Sequence, residues 1–520
     1  MARWRRDGIA AALLLLLLSS AVTASSSERG DPAPHVVATD SGQVRGTVAA
    51  DISAFRGIPY ARAPVGELRW RAPQPPRSWS GVRDATQFGA ACPQPTRSER
   101  PDGAAISAQS EDCLFINVWT RDVRGTAAAM VWLHGGAHRF GASSLPLYDG
   151  AALARQGVVL VSFNYRLGLL GYFAHPALSA EAGENEAFGN FGLLDQVAAL
   201  AWVQRNIAAF GGDRNNVTVF GESAGGVSIL HLLSAPHVAK GLFAKAIVQS
   251  GGGWQRSLAP REKEQQGIDA LASAGVARDA TSSQLRALDV ARLNEAIAAV
   301  PLLNFGPFID GRVVKAAPAT AFRDGAALDV PLIIGWNSDE ASLLDARGTG
   351  PAALLRRFSA DELAHAREVY AKEAVSDEAL ARALFTDASF AAPARWLAAR
   401  AHAGAPAWLY HFDYTFERRR RPNGARHGGE IPYVFSTLDA MPAARALVTE
   451  RDREIARLLS SCWVAFAKTG RPACSGGPSW PHYSPDSDAL LLFGATPQVV
   501  ERFRANVLDY QQANSAHDEH

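Results

Sequence analysis

VTVFGESAGG, residues 217–226, is the segment that decides the predicted fold of this chain. Its first four residues form a short apolar run rich in β-branched side chains, which predicts a buried strand. Gly221 to Gly225 then match G-x-S-x-G, a pattern in which a serine occupies a sharp turn between a strand and a helix. Glycines flank that serine because the turn strains the backbone and brings neighbouring chain segments close. The segment therefore predicts a strand–turn–helix unit that presents Ser223 as a nucleophile.

Similar apolar runs recur on both sides of this segment. Residues 193–210 carry apolar side chains near helical spacing and end at a Gly-Gly pair, which predicts a helix. Continuous apolar strands separated by helices are typical of a mostly parallel sheet covered on both faces, which is an α/β fold. Residues 36–38 and 43–45 predict a small N-terminal antiparallel hairpin. The further predicted strands are residues 129–133, 158–163, 246–248, 332–334 and 408–410.

The N-terminus has the pattern of an export signal. Arg3, Arg5 and Arg6 precede an apolar run at residues 9–18, and small residues follow up to Ala24. A membrane anchor is the alternative, but this run is shorter than the roughly 20 residues needed to span a bilayer. We therefore predict a signal peptide of residues 1–24 and a secreted or periplasmic mature chain. No later stretch is apolar enough to predict a stable membrane anchor.

Composition and charge are those of an ordinary globular protein, at 48% hydrophobic and 20% charged residues. The formal net charge is +1, and removing the signal peptide leaves it near neutral. This balance and the absence of any nucleic-acid-binding motif argue against a nucleic-acid partner. No repeat or long linker divides residues 25–520, so we predict a single domain, although length alone suggests about three.

Four cysteines allow three pairings. Pairing of nearest neighbours joins Cys92 to Cys113 and Cys462 to Cys474, closing two short loops. Export favours disulfides, and the first would stabilise the fold by roughly 3 kcal/mol in the chain-entropy model. Free thiols are the alternative. A metal site is disfavoured because no CxxC or CxxH spacing accompanies the cysteines.

A serine nucleophile needs a base, and acyl transfer needs hydrogen-bond donors for the oxyanion. HGGA, residues 134–137, follows a predicted strand and offers the N–H groups of Gly136 and Ala137, with Ala224 as a third donor. A structural turn is the alternative for this loop. In α/β-hydrolases the base follows the acid along the chain. That order admits His427, but local pattern leaves other histidines open: His365, His402, His411 and His482.

Further motifs accompany the Ser223 segment in a fixed order: FRGIPY at 55–60, EDCLFINV at 111–118, NYRLG at 164–168, GNFGLLDQ at 189–196 and FGGD at 210–213. Together they resemble the type-B carboxylesterases, which include cholinesterases and bacterial para-nitrobenzyl esterases. The resemblance runs from about residue 36 to the C-terminal region. It implies the α/β-hydrolase fold and acyl transfer that needs no metal or organic cofactor.

The resemblance also assigns the catalytic groups. In GWNSDE, residues 335–340, it implies that Glu340 is the acid rather than Asp339, and that His427 is the base. It implies that Glu222 adds negative potential, although a satisfied buried carboxylate is the alternative. The Cys462–Cys474 pair has no family counterpart and depends on export and proximity alone. The resemblance further implies a loop disulfide and two structural ion pairs: Cys92–Cys113, Arg69–Glu111 and Arg166–Asp195.

Departures from the family pattern bear on the substrate. Gly103 and Leu343 stand where cholinesterases carry aromatic residues, so a choline ester is not expected. Ala137 replaces a glycine and His138 an aromatic residue, which argues against bulky acyl groups or tertiary-alcohol esters. The expected partner is a small-molecule ester. A lipase for longer acyl chains and a non-catalytic binding protein are the alternatives, but the short polar loop before Cys113 argues against a lid.

Two further features concern the substrate pocket. Leu302, Leu303 and Phe305 align with the family's acyl-pocket region, and Trp254 is a weaker candidate for which a core position is the alternative. Arg418 to Arg421 form a run of four arginines upstream of His427. A solvated loop is one interpretation of that run, and electrostatic steering of anionic esters is the other.

Overall fold

The computed structural model describes residues 35–95, 106, 108–183, 186–301, 305–345, 350–401, 404–440 and 442–515. Several predictions made above lie outside these residues and receive no structural account. They concern the signal peptide of residues 1–24, Gly103, Leu302, Leu303 and His402.

Strands dominate the centre of the molecule, and the described ranges contain fourteen of them. They are β1 Val36–Thr39, β2 Gly42–Arg45, β3 Thr47–Ala49, β4 Ile52–Pro59, β5 Val82–Asp84, β6 Phe115–Thr120, β7 Ala127–Leu133, β8 Val159–Phe163, β9 Gly212–Glu222, β10 Lys245–Gln249, β11 Leu332–Asn337, β12 Ala407–Phe412, β13 Ala489–Phe493 and β14 Gln498–Glu501.

Eleven strands form one sheet in the order β14-β13-β12-β11-β10-β9-β7-β8-β6-β4-β3. The neighbours from β13 to β8 run parallel, whereas the pairs at the two edges are antiparallel. Every residue of β10, β11 and β12 is buried, as expected where parallel strands are covered on both faces. The predicted mostly parallel sheet is confirmed, and each of the six apolar runs predicted as its strands overlaps one of the observed strands.

Helices cover both faces of this sheet. The described residues contain nineteen α-helices: α1 Ala151–Arg155, α2 Gly168–Gly171, α3 Pro176–Glu181, α4 Phe191–Asn206, α5 Ala224–Leu233, α6 Pro236–Ala239, α7 Pro260–Ser273, α8 Ser282–Arg286, α9 Val290–Ala296, α10 Pro318–Arg323, α11 Ser342–Asp345, α12 Ala352–Leu355, α13 Ala360–Val369, α14 Asp377–Thr386, α15 Ala392–Ala401, α16 Ile431–Val434, α17 Pro442–Arg445, α18 Glu450–Thr469 and α19 Ala505–Ser515.

Alternate residues of the parallel strands in the central sheet point into two separate hydrophobic clusters. On β7, Val131 packs in the cluster that contains residues of α4, α5 and α15. Its neighbour Trp132 packs in the other cluster, against residues of α16 and α18. The helix predicted at residues 193–210 is confirmed as α4 followed by a short 3₁₀ turn, Ile207–Phe210. The described part of the chain thus forms three layers, with the sheet in the middle.

The predicted N-terminal hairpin is present, but it belongs to a second sheet. Strands β1 and β2 pair antiparallel, with Val37 opposite Val44. Strand β5 adds to β2 in parallel, giving a three-stranded sheet separate from the central one. No pattern in the sequence predicted β5.

The two disulfides and the two structural ion pairs expected from the sequence are all present. Both disulfides form, Cys92–Cys113 and Cys462–Cys474. Arg69 pairs with Glu111 at 2.5 Å, and buried Arg166 pairs with Asp195 at 2.7 Å. Within the described ranges, no helix combines the length and apolar character needed to cross a membrane.

Candidate active site

Ser223 lies on the predicted turn between β9 and α5. Its backbone angles, φ 54° and ψ −121°, are strained for a residue with a side chain and cost about 1–3 kcal/mol. The neighbouring glycines are required because β7 passes close by. A Cβ atom on Gly221 would lie 2.7 Å from the carbonyl oxygen of Leu133, and one on Gly225 only 2.0 Å from it. The strand–turn–helix unit predicted from the sequence is therefore confirmed.

The sheet topology brings the other candidate residues to the same edge. Parallel neighbours β9 to β12 end side by side, and ligands of such sheets bind beyond the carboxyl ends of their strands. Ser250 directly follows β10, and Glu340 follows β11 by three residues. His427 lies in the loop after β12. Residues more than two hundred positions apart in the sequence thus meet at one place.

Glu340 holds the imidazole of His427. Its Oε2 is hydrogen-bonded to His427 Nδ1. Its Oε1 accepts hydrogen bonds from Ser250 Oγ at 2.6 Å and from the backbone N–H of Asn337 at 2.7 Å. The carboxylate is fully buried, so these donors fix its orientation. Asp339, the adjacent acid, instead pairs with Arg382 at 2.8 Å.

Among the other candidate histidines that the structure describes, none borders the cavity that contains Ser223 and His427. His411 lies in β12 and packs against the ring of Trp336, and His365 lies on the exposed side of α13, 3.8 Å from Glu368. His482 lies in the loop between α18 and β13 and lines no part of that cavity. Of these candidate histidines, His427 is therefore the one that shares a cavity with Ser223.

A second carboxylate faces the other ring nitrogen of His427. Glu222 Oε1 lies 3.1 Å from His427 Nε2, without the alignment of a hydrogen bond. Glu430, also fully buried, accepts hydrogen bonds from Gln249 at 2.8 Å and from Asn337 at 2.5 Å. Three buried carboxylates therefore surround one imidazole. In the ranges described, no group of His, Cys, Asp and Glu side chains is arranged to hold a metal ion.

These charges shift the titration of the site. Burial alone would lower the pKa of His427, but the charges of Glu222 and Glu340 outweigh it and raise the pKa to about 9. Burial raises the pKa of Glu222 to about 8, against the opposing charge of His427. Burial also raises the pKa of Glu430. Because the cluster has more carboxylates than cations, it retains a proton at neutral pH.

The loop after β7 carries the predicted oxyanion donors. Gly136, Ala137 and His138 all have positive φ, at 111°, 54° and 56°. A Cβ on Gly136 would lie 2.2 Å from the carbonyl oxygen of Phe140, so only glycine fits there. No described residue accepts a hydrogen bond from the N–H of Gly136, Ala137 or Ala224, and all three residues border the cavity. These donors remain available to a ligand near Ser223.

The cavity in front of Ser223 has a volume of about 870 Å³. Phe305 and Leu343 both border it. Trp254 is not among the described residues that border this cavity, and its ring packs edge-on against Trp396 of α15, with centroids 6.2 Å apart. This is the core position given above as the alternative.

A family model described as the carboxylesterase family matches residues 33–511. The chain belongs to this family. Para-nitrobenzyl esterase of Bacillus subtilis (strain 168) is 37% identical over 476 residues, which cover 88% of this chain and 94% of that protein. Fumonisin B1 esterase of Sphingopyxis macrogoltabida is 37% identical over 482 residues, which cover 88% of this chain and 86% of that protein. A solved structure of PNB esterase superposes with a TM-score of 0.80 at 35% identity, covering 92% of this chain and 99% of that one.

This carboxylesterase is therefore a carboxylic-ester hydrolase with the α/β-hydrolase fold. Three of its site residues escaped prediction from the sequence, namely Ser250, Asn337 and Glu430. Ser250 could have been found from its position, because it lies two residues after the strand predicted at residues 246–248, the first strand predicted after the one that leads to Ser223. Glu430 is visible three residues after His427, but only the structure shows that its carboxylate turns inward.

The Glu222→Gln variant of the carboxylesterase tests the role of the second carboxylate. A negative charge beside Nε2 favours the imidazolium, so removing it lowers the pKa of His427 and keeps the neutral base at lower pH. We expect the acidic limb of the kcat/KM profile to move down by about one to two pH units. Activity at pH 6 therefore rises relative to activity at pH 8.

The measurement is kcat/KM for a neutral ester between pH 5 and 9. Glu417→Gln, which changes an exposed glutamate on the loop after β12, is the matched control. An acidic limb that stays in place in Glu222→Gln would show that Glu222 does not control the base.

Proposed function

We propose that this carboxylesterase is exported and hydrolyses small to medium esters through Ser223, Glu340 and His427. Residues 25–520 would then form one catalytic domain behind a signal peptide of residues 1–24. The observation that carries the proposal is that Ser223 and His427 border one cavity while the Glu340 carboxylate is hydrogen-bonded to Nδ1 of His427. The two disulfides fit an oxidising compartment.

The proposed mechanism is two-step acyl transfer. Ser223 Oγ attacks the ester carbonyl while His427 takes its proton, and Glu340 stabilises the resulting imidazolium. The N–H groups of Gly136, Ala137 and Ala224 stabilise the oxyanion, each donor contributing about 3–4 kcal/mol. His427 then protonates the leaving alcohol. Water, activated by the same imidazole, releases the acid from the acyl-enzyme.

The cavity supports the size class of the substrate. A volume of about 870 Å³ suits a small organic molecule. Its walls include the side chains of Phe305, Phe308, Phe390 and Leu343, which fit an apolar ester. The two bacterial relatives described above are both named as esterases.

A panel of p-nitrophenyl esters from acetate to palmitate tests this function. We expect kcat/KM to be highest for acyl chains of about two to eight carbons. The rate should not rise abruptly above the substrate concentration at which micelles form. An optimum at the longest chains, with activation at the interface, would establish the lipase alternative. Absence of turnover across the whole panel would establish a non-catalytic binding protein.

Two of the four arginines at residues 418–421 border the cavity. Arg419 and Arg421 border the cavity, whereas Arg418 and Arg420 do not. None of the four forms an ion pair with a carboxylate in the described residues, and Asp339, which interacts with Arg421, is already paired with Arg382. The run lies on the loop that leads to His427, which protonates the leaving alcohol. It should therefore attract esters whose alcohol part is anionic.

The Arg419→Gln/Arg421→Gln variant tests this attraction with 4-carboxyphenyl acetate and its neutral analogue 4-carbamoylphenyl acetate. In the wild type we expect rising salt to lower kcat/KM for the anionic ester only, because screening weakens steering. The variant should lose about threefold to tenfold in kcat/KM for that ester at low salt. Arg418→Gln/Arg420→Gln is the matched control and should retain most of the preference. An equal response of both esters to salt, or no response, rejects steering.

A further inference from the structure

Lys263 is a buried cation at the wall of the cavity. It lies on α7, is 2% exposed and borders the cavity beside Phe305. Its Nζ lies 4.4 Å from the ring centroid of Phe305 and 5.7 Å from that of Phe308. It donates hydrogen bonds to Gln266 Oε1 at 3.0 Å and to the carbonyl oxygen of Gly306 at 3.4 Å. No carboxylate of the described residues pairs with it.

The surroundings of Lys263 disfavour a positive charge. Lys263 lies near the N-terminus of α7, where the helix dipole favours anions. The guanidinium of Arg139 lies 4.9 Å from the same Phe305 ring. Burial lowers the pKa of Lys263 to about 7, and Arg139 adds to this effect. His138, the other titratable neighbour, is neutral because burial lowers its pKa to about 3.

We propose that Lys263 binds the distal carboxylate of the substrate's acyl group, so that this enzyme prefers half-esters of dicarboxylic acids. The inference rests on the proposed function and names the substrate class of the same site. Phe305 belongs to the segment aligned with the acyl pocket, so Lys263 lies where the far end of an acyl chain would reach. A carboxylate there supplies the anion that this site lacks. Hydrolysis then yields the free dicarboxylic acid and the alcohol.

The proposal predicts a pH dependence that is specific to anionic acyl groups. A bound carboxylate favours the ammonium form and raises the pKa of Lys263. In the free enzyme the ammonium is lost as the pH rises through about 7. Binding of the half-ester therefore weakens above that pH through an increase in KM. Changes in His427 affect both kinds of ester and cancel in the ratio of their kcat/KM values.

The experiment compares mono-p-nitrophenyl esters of dicarboxylic acids of six to eight carbons with p-nitrophenyl alkanoates of equal carbon number. We expect one chain length to give the highest ratio of anionic to neutral kcat/KM. Lys263→Met should lower that ratio at least about tenfold, mainly through KM, since a charge-assisted hydrogen bond is lost. Lys263→Arg should restore part of the ratio. Arg261→Met, which removes an exposed cation from the same helix, is the matched control.

The outcomes separate the role of Lys263 from the esterase function itself. A ratio that is the same in Lys263→Met and the wild type, or that does not fall between pH 6 and 9 in the wild type, overturns the role of Lys263. The wild-type pH series tests that role even if the variants do not fold. If the wild type did not hydrolyse the neutral p-nitrophenyl alkanoates at all, the proposed esterase function would instead be overturned.

Discussion

The Ser223→Ala variant is expected to hydrolyse p-nitrophenyl butyrate about a million times more slowly in kcat than the wild type. The effect is this large because the hydroxyl forms the acyl-enzyme, and His427 and Glu340 act only through it. The fold provides no substitute at this position. Ser250, a second serine at the carboxyl ends of these strands, donates its hydroxyl to Glu340.

Two measurements check this prediction. Steady-state kinetics give kcat, and a fluorophosphonate probe followed by mass spectrometry shows whether the peptide containing residue 223 is labelled. Ser234→Ala is the matched control, because Ser234 lies at the far end of α5 and does not border the cavity. A Ser223→Ala variant that keeps more than about a thousandth of the wild-type kcat would place the nucleophile elsewhere.

The parts of the fold that could be predicted are those whose sequence pattern has a single physical explanation. The central strands are buried on both faces, so they appear as unbroken apolar runs. The turn at Ser223 needs glycines on both sides because β7 passes so close. Strand β5, by contrast, is VRD with all three residues exposed, and no apolar pattern marks it. It forms only because β2 presents a free edge.

The residues of the candidate site also differ in how far the local sequence predicts them. The turn predicts Ser223 from local sequence, whereas only the family resemblance assigns His427 and Glu340, since the local pattern fits other residues too. Lys263 appears in the sequence as one charge in the polar segment PREKEQQ. Its burial depends on the packing of α7 against Phe305 and Phe308, which are more than forty residues away. Contacts of this kind have no local signal.

The Glu340→Gln variant should lower kcat by about 10⁴-fold, as loss of the acid's charge does in serine hydrolases. The structure gives a specific reason. Glu340 Oε1 accepts two hydrogen bonds, from Ser250 and from the backbone of Asn337. In glutamine the amide oxygen must keep that position, because an NH₂ group cannot accept them. The NH₂ group then faces His427 Nδ1.

That arrangement traps the imidazole in the wrong tautomer. Nδ1 must accept a hydrogen bond from the amide, so the proton moves to Nε2, which can no longer take the proton of Ser223. We therefore expect ¹⁵N spectra of neutral His427 to show a protonated Nδ1 in the wild type and a protonated Nε2 in Glu340→Gln. The loss of a nearby carboxylate also lowers the pKa of His427.

Asp339→Asn is the matched control, because it makes the same change of carboxylate to amide one residue away. Among the described residues the Asp339 carboxylate pairs with Arg382 and forms no hydrogen bond or ion pair with His427, so its replacement removes a partly buried ion pair and keeps the partner of the imidazole. We expect kcat to change by less than about threefold and the free energy of unfolding to fall by about 1–3 kcal/mol. If Asp339→Asn abolished turnover while Glu340→Gln retained it, the acid would be Asp339. The hydrogen bonds to Oε1 would then serve only to satisfy a buried charge.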